Sequence, residues 1–597
     1  MSAAVRLPSG FTDHDQRRND EAATPTRAVD VFLRYLKAEG IRHVFGIVGG
    51  LLYPMFKAVE DDEELELVHT KHEGGAAFMA DGYARTSGRL AVCAATSGPG
   101  ATNLITGVAC AFADGVPLLV VTGQAASHAL GKGAAQETPR EDIDIVEMFR
   151  PITKYSAMVT SAESLPQHLR RALRLALSGR PGPVHLNVPV DVWEKPLAEQ
   201  REWLEPSAYR ATARSFDRAA VARAGDELLA AKHPVLLVGS GVGIAGAEQH
   251  LYALANLLPA RVATTPRGKG LFPEDDPLSL GVLGVAGHRE ARTTVLGSEV
   301  DVLFSVGASL GETSTMNWTP KLMPTRSFVQ LDVDPDRIGR NYPVDLPLVG
   351  DAQAILVELI YHVHRRIREG TSPASEWSSA PSPVRGEGRY DDGDARDSSV
   401  GKLTPQRWRA ELDRVLPRDA IVFSDIGGHM LFNLHHLCIR KGQRFVINLG
   451  FGSMGHGTVA PIGAALAQPG RPVFAIVGDG CFAMNGMDLI TATEHDAPVV
   501  WIVENNNMHG ITHHCSKILG RGQALRAARY RHPLEVAKLA EAMGLFTRVV
   551  EHPGEIGPAV SAAMASGLPA VVEVRVDPNM PPPMGERARS LAGFIEK

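Results

Sequence analysis

Residues 473–480 read Val-Phe-Ala-Ile-Val-Gly-Asp-Gly, and residues 499–507 read Val-Val-Trp-Ile-Val-Glu-Asn-Asn-Asn. Each stretch begins with five apolar residues, which is typical of a strand buried on both faces of a parallel sheet. A helical stretch, residues 485–494, lies between them. Asp479 and Asn506 are therefore one strand–helix–strand unit apart, and we expect both at the carboxyl ends of neighbouring parallel strands.

Short apolar runs of this kind recur along the chain, with helical stretches between them. They occupy residues 90–95, 118–122, 184–188, 235–239, 302–307, 328–333, 445–448, 473–477, 499–503 and 571–576. Alternating strands and helices are typical of layered α/β folds. We predict an α/β protein with three doubly wound parallel-sheet domains.

Two breaks in this pattern give the domain boundaries. A polar, charged stretch follows residue 192, and residues 371–399 are rich in Ser, Pro, Gly, Asp and Arg with almost no aliphatic residues. The second stretch is predicted to be a flexible linker, because it has too little apolar surface to offset its ordering entropy. The predicted domains are residues 27–192, 215–365 and 403–578, with a flexible tail at residues 1–26 and a C-terminal tail at residues 579–597.

The overall composition excludes several classes of function. The chain has 597 residues, a formal net charge of −6 and 44% apolar residues. This balance does not indicate a nucleic-acid or anionic-membrane partner, since both require a concentrated basic surface. Its five cysteines are dispersed without CxxC spacing, which is typical of reduced thiols. No apolar run reaches the ~18 residues of a membrane helix, and the first 25 residues do not form a signal peptide. We expect a soluble, cytoplasmic protein.

Asp479 and Asn506 carry the chemistry of the third domain. A carboxylate, an amide oxygen and a nearby backbone carbonyl are hard oxygen ligands of the kind Mg²⁺ prefers, and diphosphate oxygens would complete its shell. Gly478 and Gly480 would allow the backbone to approach phosphates closely. Either motif alone is weak evidence, since Gly-Asp-Gly is usually a tight turn and Asn-Asn is usually a loop. The two motifs together predict a metal–diphosphate site.

Three further stretches extend this pattern. They are Gly452-Ser453-Met454-Gly455, residues 71–85 (Lys-His-Glu-Gly-Gly-Ala-Ala-Phe-Met-Ala-Asp-Gly-Tyr-Ala-Arg) and residues 97–103 (Ser-Gly-Pro-Gly-Ala-Thr-Asn). With them, nearly the whole chain outside the N-terminal tail and the linker resembles the thiamine diphosphate (ThDP) enzymes of the acetolactate synthase, pyruvate oxidase and 2-oxo-acid decarboxylase group.

The resemblance implies a cofactor, a metal ion and a site shared between subunits. Asp479, Asn506 and the carbonyl of Met508 would bind Mg²⁺, and Glu73 would be the catalytic acid that activates the pyrimidine ring of ThDP. Because Glu73 and Asp479 lie in different domains, the family geometry joins them across an interface of a homodimer or homotetramer. The resemblance assigns cofactor contacts to Gly49, Ser97, Asn103, Gly428, His429, Gly452, Met454, Gly478, Asp479, Gly480, Cys481, Asn506, Met508, His509, Gly510 and Ile511.

Within this group the chain is most similar to acetolactate synthase, and Gln136 is the candidate substrate contact. Four positions differ from that family: Ala135 stands for Phe, Val285 for Met, Thr313 for Arg and Cys515 for Trp. Replacing the Arg removes a bidentate carboxylate partner, and replacing the two aromatic residues enlarges the cavity. We expect a 2-oxo acid substrate, a carbonyl acceptor and an acceptor site unlike that of acetolactate synthase.

Several histidines are candidates for proton transfer, because the pKa of imidazole suits that role. His429, His509 and His514 are the leading candidates, with His456 and His513 beside them; a packed or solvated histidine remains the ordinary interpretation of each. A metal site built from residues 509–515 is disfavoured, because adjacent histidines and a missing carboxylate partner fit such a site poorly.

Other functions stay open. The middle domain could bind FAD, because residues 239–243 form a glycine turn after a strand, although this signal is weak. The alternatives are a flavin-containing oxidase of the pyruvate oxidase type, a simple 2-oxo-acid decarboxylase, a 2-hydroxyacyl lyase, and a silent scaffold of the same fold. A nicotinamide dehydrogenase would require a GxGxxG turn with an acidic residue ~20 positions later, and this pair is not convincing here.

Overall fold

The computed structural model describes residues 26–197, 204–210, 214–377, 393–398, 401–520 and 522–584. They form three six-stranded sheets in which every strand pairing is parallel. This confirms the predicted α/β fold. The predicted tails at residues 1–26 and 579–597 lie largely outside the described residues.

The N-terminal sheet has the strand order β2-β1-β3-β4-β6-β5. Its strands are β1 (His43–Gly46), β2 (Glu66–His69), β3 (Ala91–Ala95), β4 (Leu118–Gln124), β5 (Ser156–Met158) and β6 (Val184–Pro189). The accompanying helices are α1 (Ala28–Ala38), α2 (Tyr53–Glu60), α3 (Glu73–Ser87), α4 (Pro99–Asn103), α5 (Ile105–Asp114), α6 (Ile145–Phe149) and α7 (Leu165–Leu177), and a short α8 (Pro206–Tyr209) follows.

The central sheet has the order β12-β11-β10-β7-β8-β9. Its strands are β7 (Pro234–Val238), β8 (Arg261–Thr264), β9 (Ser279–Val282), β10 (Val302–Val306), β11 (Ser327–Asp332) and β12 (Leu346–Val349). Its helices are α9 (Arg218–Leu229), α10 (Gly241–Ile244), α11 (Glu248–Leu257), α12 (Arg289–Val295), α13 (Glu312–Thr315) and α14 (Ala352–Arg368).

The C-terminal sheet has the order β14-β13-β15-β16-β18-β17. Its strands are β13 (Ile421–Ser424), β14 (Arg444–Ile447), β15 (Val473–Gly478), β16 (Val499–Asn505), β17 (Phe546–Val550) and β18 (Ala570–Arg575). Its helices are α15 (Pro405–Val415), α16 (Gly428–His436), α17 (His456–Ala467), α18 (Asp479–Asn485), α19 (Leu489–Glu494), α20 (Gly510–Leu519), α21 (Val536–Ala542) and α22 (Ile556–Ser566).

Local sequence explains where α3, the helix that begins with Glu73, starts and ends. The His72 side chain caps its N-terminus by accepting a hydrogen bond from the backbone of Gly74, and Gly88 ends it in the left-handed conformation with φ of 70°. Both are ordinary helix-end devices. The capped first turn holds Glu73 in a fixed place at the end of the helix.

Helices α3 and α17 bring the N-terminal and C-terminal domains into direct contact. A Cβ atom at Gly82 would lie 2.0 Å from the carbonyl oxygen of Ala460, and one at Gly463 would lie 1.9 Å from that of Met79. Only glycine allows backbones to approach this closely. The buried residues of both helices belong to one apolar core that spans the two domains.

The described part of the predicted linker, residues 371–377 and 393–398, makes defined contacts. The backbone N–H groups of Ala374 and Glu376 donate to the carbonyls of Leu229 and Lys232, and the Trp377 indole donates to the Pro234 carbonyl. Trp377 also stacks edge-on against His233. One aromatic residue thus gives this polar stretch an attachment to the central domain, while residues 378–392 lie outside the described residues.

Candidate functional site

A cleft opens at the carboxyl edge of the C-terminal sheet, where the chain order reverses between β13 and β15. Ligands of open α/β sheets bind at such a switch point. The loops after β13, β15 and β16 and the first turn of α20 surround it. Its lining residues are Ile426, Gly427, Gly428, His429, Met454, Gly478, Asp479, Gly480, Cys481, Glu504, Asn506, Met508, His509, Gly510, Ile511 and Thr512.

Asp479 is the buried acid of this cleft. The residue is only 2% exposed. Its Oδ1 accepts a hydrogen bond of 2.8 Å from the backbone N–H of Gly480. Its Oδ2 is buried without a hydrogen-bond partner among the described residues. Burial raises the pKa of Asp479 to about 7, although nearby backbone N–H groups oppose the rise. A buried carboxylate oxygen without a partner is suited to a bound cation.

Asn506 and Met508 stand beside Asp479 at the end of the adjacent strand, because Gly478 pairs with Glu504 in the sheet register. Met508 is buried and donates its backbone N–H to Asn506 Oδ1 at 3.2 Å. Two backbone hydrogen bonds fix the turn that contains Asn506 and Met508. The N–H of His509 donates to the Ala528 carbonyl, and the N–H of Tyr530 donates to the Asn507 carbonyl. The oxygens of these residues and of Asp479 are hard ligands suited to Mg²⁺.

The turn that carries Met454 also reaches the cleft. Asp425, at the end of β13, accepts hydrogen bonds from the backbones of Gly455 and Thr458 and from the Thr458 hydroxyl. This buried carboxylate fixes the turn and leaves Met454 half-buried among the cleft residues. Gly452 is on the same turn with φ of 78°, but it is not among the cleft residues.

His429 lies in the first turn of α16, deep in the cleft. Burial lowers its pKa to about 3, helped by the charge of Arg409, so the ring is neutral at physiological pH. Its Nε2 has no hydrogen-bond partner among the described residues. Cys481 is also buried, and burial raises its thiol pKa well above the ordinary range, so it is not a nucleophile.

The remaining histidines separate into two groups. His509 lines the cleft and packs edge-on against Tyr530, and Gly510 and Ile511 follow it. His514 is not among the cleft residues: it lies against His513 in α20, and burial lowers its pKa. His456 is buried in the α3–α17 contact, where its Nε2 is 2.6 Å from Asp81 Oδ1.

A second cluster forms at the carboxyl edge of the N-terminal sheet. The Asn103 amide donates to Glu73 Oε2 at 2.9 Å, and a Cβ at Gly100 would lie 3.3 Å from Glu73 Oε1. Ser97 is buried against the Thr138 hydroxyl. Gln136 is exposed with φ of 58°, and its Cβ is 3.5 Å from the Cβ position of Gly98.

Gly49 lies at the switch point of the same sheet, where a Cβ would be 2.5 Å from that of Thr96. The structure therefore gathers five predicted residues of the first domain at one edge: Gly49, Glu73, Ser97, Asn103 and Gln136. No hydrogen bond among the described residues joins this cluster to the cleft of the C-terminal domain. Glu73 is half-buried and Asn103 exposed, so this edge is open in a single chain.

Some residues of the site were not predicted. Asp425, Ile426 and Gly427 come directly before the predicted residues Gly428 and His429, and this position in the sequence was the available signal. Thr512 follows Ile511 in the same way. Arg409 and Glu504 form a buried ion pair behind the cleft, and nothing in the sequence near Arg409 indicates this contact.

Two further observations concern the described residues only. No group of three or more His, Cys, Asp or Glu side chains there is arranged to hold a metal ion. Within the same residues, no helix combines the length and apolar character needed to cross a bilayer.

Three family descriptions match the three domains. They are the N-terminal thiamine pyrophosphate binding domain over residues 26–148, the thiamine pyrophosphate enzyme central domain over residues 221–359, and the C-terminal thiamine pyrophosphate binding domain over residues 425–574. The first and third matches contain Glu73 and Asp479, and thus both clusters described above.

Similar proteins cover nearly the whole chain. The probable acetolactate synthase large subunit of Methanocaldococcus jannaschii is 32% identical over 586 residues, which are 96% of this chain and 95% of that protein. The acetolactate synthase large subunit of Haemophilus influenzae is 31% identical over 92% of this chain and 94% of that protein. The acetolactate synthase isozyme 3 large subunit of Escherichia coli is 32% identical over 90% of this chain and 92% of that protein. The chain therefore belongs to the thiamine diphosphate-dependent enzymes and is an acetolactate synthase-like member of that family.

Proposed function

We propose that this enzyme decarboxylates a 2-oxo acid and transfers the remaining acyl group to a carbonyl acceptor, in an acceptor site that differs from that of acetolactate synthase. The observation that carries the proposal is the buried Asp479 Oδ2 beside Asn506 in the cleft, an oxygen that no described residue hydrogen-bonds. It provides a place for Mg²⁺ and the diphosphate of ThDP at the edge where α/β sheets bind ligands.

Bound ThDP supplies the electron sink for breaking and making the carbon–carbon bond next to a carbonyl. The chain's own residues bind and orient it. Asp479, Asn506 and the Met508 carbonyl would hold the cation, and Met454 would contact the cofactor. Glu73 would hold a proton at the pyrimidine ring, and the Asn103 amide, which donates to Glu73 Oε2, would orient that side chain.

The claim of a different acceptor site is supported by two contacts. The backbone of Val285 donates to the Thr313 carbonyl at 2.7 Å, so two of the four altered positions are neighbours. Val285 also belongs to the apolar cluster around α16 against which Cys515 and Ile511 pack. Three of the altered positions thus lie in or beside one apolar cluster that also contains residues of α16. None of these three side chains can hold an acceptor carboxylate by a bidentate pair.

The test is to incubate the enzyme, ThDP and Mg²⁺ with each of a panel of 2-oxo acids. CO₂ release measures decarboxylation, and mass spectrometry identifies the products. We expect CO₂ release from at least one acid, with a ligation product when a carbonyl acceptor is added. We expect little acetolactate from pyruvate alone, because Thr313 replaces the arginine of the acceptor site. Rapid acetolactate formation from pyruvate alone would refute the altered acceptor site, and a bound-flavin spectrum would favour the oxidase alternative.

Glu73→Gln is the matching variant, since it keeps the shape of the side chain and removes the acid. It should retain ThDP binding within about threefold and lose at least 100-fold in kcat, in the range expected for a proton-transfer group. The exposed Glu63→Gln in the same domain is the control and should be unchanged. Wild-type turnover by Glu73→Gln would contradict the role of this carboxylate.

A further inference from the structure

An ion pair is buried directly behind the cleft. Arg409 Nη1 is 2.7 Å from Glu504 Oε2, and the two side chains are 0% and 3% exposed. The Trp408 indole donates to the same carboxylate oxygen at 3.1 Å. Burying two charges is costly unless their geometry is good, so the place where such a pair occurs is informative.

Glu504 brings its negative charge close to the candidate metal site. It lines the cleft, lies two residues before Asn506, and pairs in the sheet register with Gly478, the residue before Asp479. An anionic diphosphate bound at this edge would therefore face a second buried carboxylate. In a medium of low polarity the repulsion between such charges is large.

Arg409 is placed to cancel that charge and to connect the surrounding elements. Besides Glu504, its guanidinium donates to the His429 carbonyl at 3.1 Å, to Asn433 Oδ1 at 2.7 Å and to the Pro405 carbonyl at 2.9 Å. One cation thus joins α15, α16 and the end of β16. Two of these partners, Glu504 and His429, line the cleft.

We propose that Arg409 is a positioning residue of the diphosphate site: its charge neutralises Glu504, so that the cleft accepts an anionic diphosphate. The proposal rests on the proposed function in one respect, namely that the diphosphate of ThDP binds at Asp479. It predicts opposite effects for the two partners, because Glu504 without Arg409 repels the diphosphate, whereas Arg409 without Glu504 attracts it.

The test measures ThDP affinity by calorimetry at saturating Mg²⁺, together with the melting temperature of each cofactor-free variant. Arg409→Gln should weaken ThDP binding at least 10-fold. Glu504→Gln should bind as tightly as the wild type or more tightly. The double variant Arg409→Gln/Glu504→Gln should recover at least fivefold of the affinity lost by Arg409→Gln.

Arg407→Gln is the matched control, since Arg407 is on the same helix and pairs with Glu411 away from the cleft. It should keep wild-type affinity. Both single variants can lower the melting temperature, as breaking a buried pair is expected to do, but a purely structural pair would not give affinity changes of opposite sign.

Three outcomes overturn the proposal: wild-type affinity in Arg409→Gln, a double variant as weak as Arg409→Gln, or at least 10-fold weaker binding in Glu504→Gln. If Arg409→Gln does not fold, the test rests on Glu504→Gln and the double variant. The proposal then requires both variants to bind ThDP as tightly as the wild type within about threefold, or more tightly. Asp479→Ala separates the two claims. If it leaves ThDP affinity unchanged, the cleft assignment itself fails; if it weakens binding while Arg409→Gln does not, only the role of Arg409 fails.

Discussion

Asp488 shows how burial sets the behaviour of a single carboxyl group in this protein. It is 2% exposed, its Oδ1 accepts a hydrogen bond of 2.7 Å from the Lys71 backbone, and its Oδ2 presses against Gly75 of α3. Burial raises its pKa from 3.8 to about 6. The folded protein therefore holds this proton to a higher pH than the unfolded chain does.

The sign of the resulting pH dependence follows from this difference. The contribution of Asp488 to stability is fully present below pH 4 and is lost as the pH rises through about 6. Asp488→Asn keeps the shape and removes the ionisation. The cofactor-free variant should become more stable than the wild type above pH 7, by about 3 kcal/mol, and should lose that advantage near pH 4.

Melting temperatures measured between pH 4 and pH 8 test this expectation. The exposed Asp61→Asn is the control, because Asp61 pairs with Lys57 on the surface. A difference between Asp488→Asn and the wild type that does not change with pH would show that the ionisation of Asp488 does not affect folding.

At the residue scale, the sequence predicts those site residues whose position is set by the residues next to them in the chain. Asp479 and Asn506 follow two apolar runs, and adjacent parallel strands bring such residues together at one edge. The role of Arg409 could not be predicted from the sequence, because it contacts Glu504 from a helix 95 positions earlier. Neither residue has an unusual local sequence pattern. His514 lies outside the cleft although His509 lines it, since α20 turns the two rings to different surroundings.

Helices α3 and α17 are the elements on which the contact between the N-terminal and C-terminal domains depends most directly. Gly82 and Gly463 place the two backbones in contact. Gly82→Val should therefore force the helices apart and lower stability by about 3 kcal/mol or more, at the upper end for an overpacked core. Thermal unfolding of the purified variant measures the loss.

Gly557 in α22 is the matched helical control. A Cβ there would meet only a side-chain carbon at 3.5 Å, an ordinary contact distance. Gly557→Ala should be neutral or stabilising by up to about 1 kcal/mol, because alanine favours the helix. Gly82→Val with wild-type stability would mean that the two helices are not packed as described.

At the element scale, composition predicts the central strands better than the edge strands. The ten predicted runs correspond to strands whose observed ends differ by one or two residues, and most of them are fully buried, as β4 and β15 are. Edge strands such as β2, β5 and β12 have three or four residues and are partly exposed. β2 and β5 contain polar residues, and the apolar run of β12 is only four residues long and includes Pro347. Hydrophobicity alone therefore does not identify these strands.

The whole molecule carries two clusters of candidate site residues, and among the described residues Glu73 does not line the cleft that contains Asp479. Glu73 lies at an open edge of the N-terminal domain, and Asp479 lies in the cleft of the C-terminal domain. Two copies related by a twofold axis would form two equivalent contacts and could join each Glu73 to the cleft of its partner. We expect the active enzyme to be a homodimer or a larger assembly built from it.

The central claim is that Glu73 of one subunit and Asp479 of another act on the same ThDP molecule. Co-expression of Glu73→Gln and Asp479→Ala subunits, each inactive alone, tests it directly. Random pairing gives half heterodimers, each with one intact site, so activity per site should return to about a quarter of the wild-type value. If the mixed dimers are isolated and remain inactive, each site is formed within one chain and the claim is wrong.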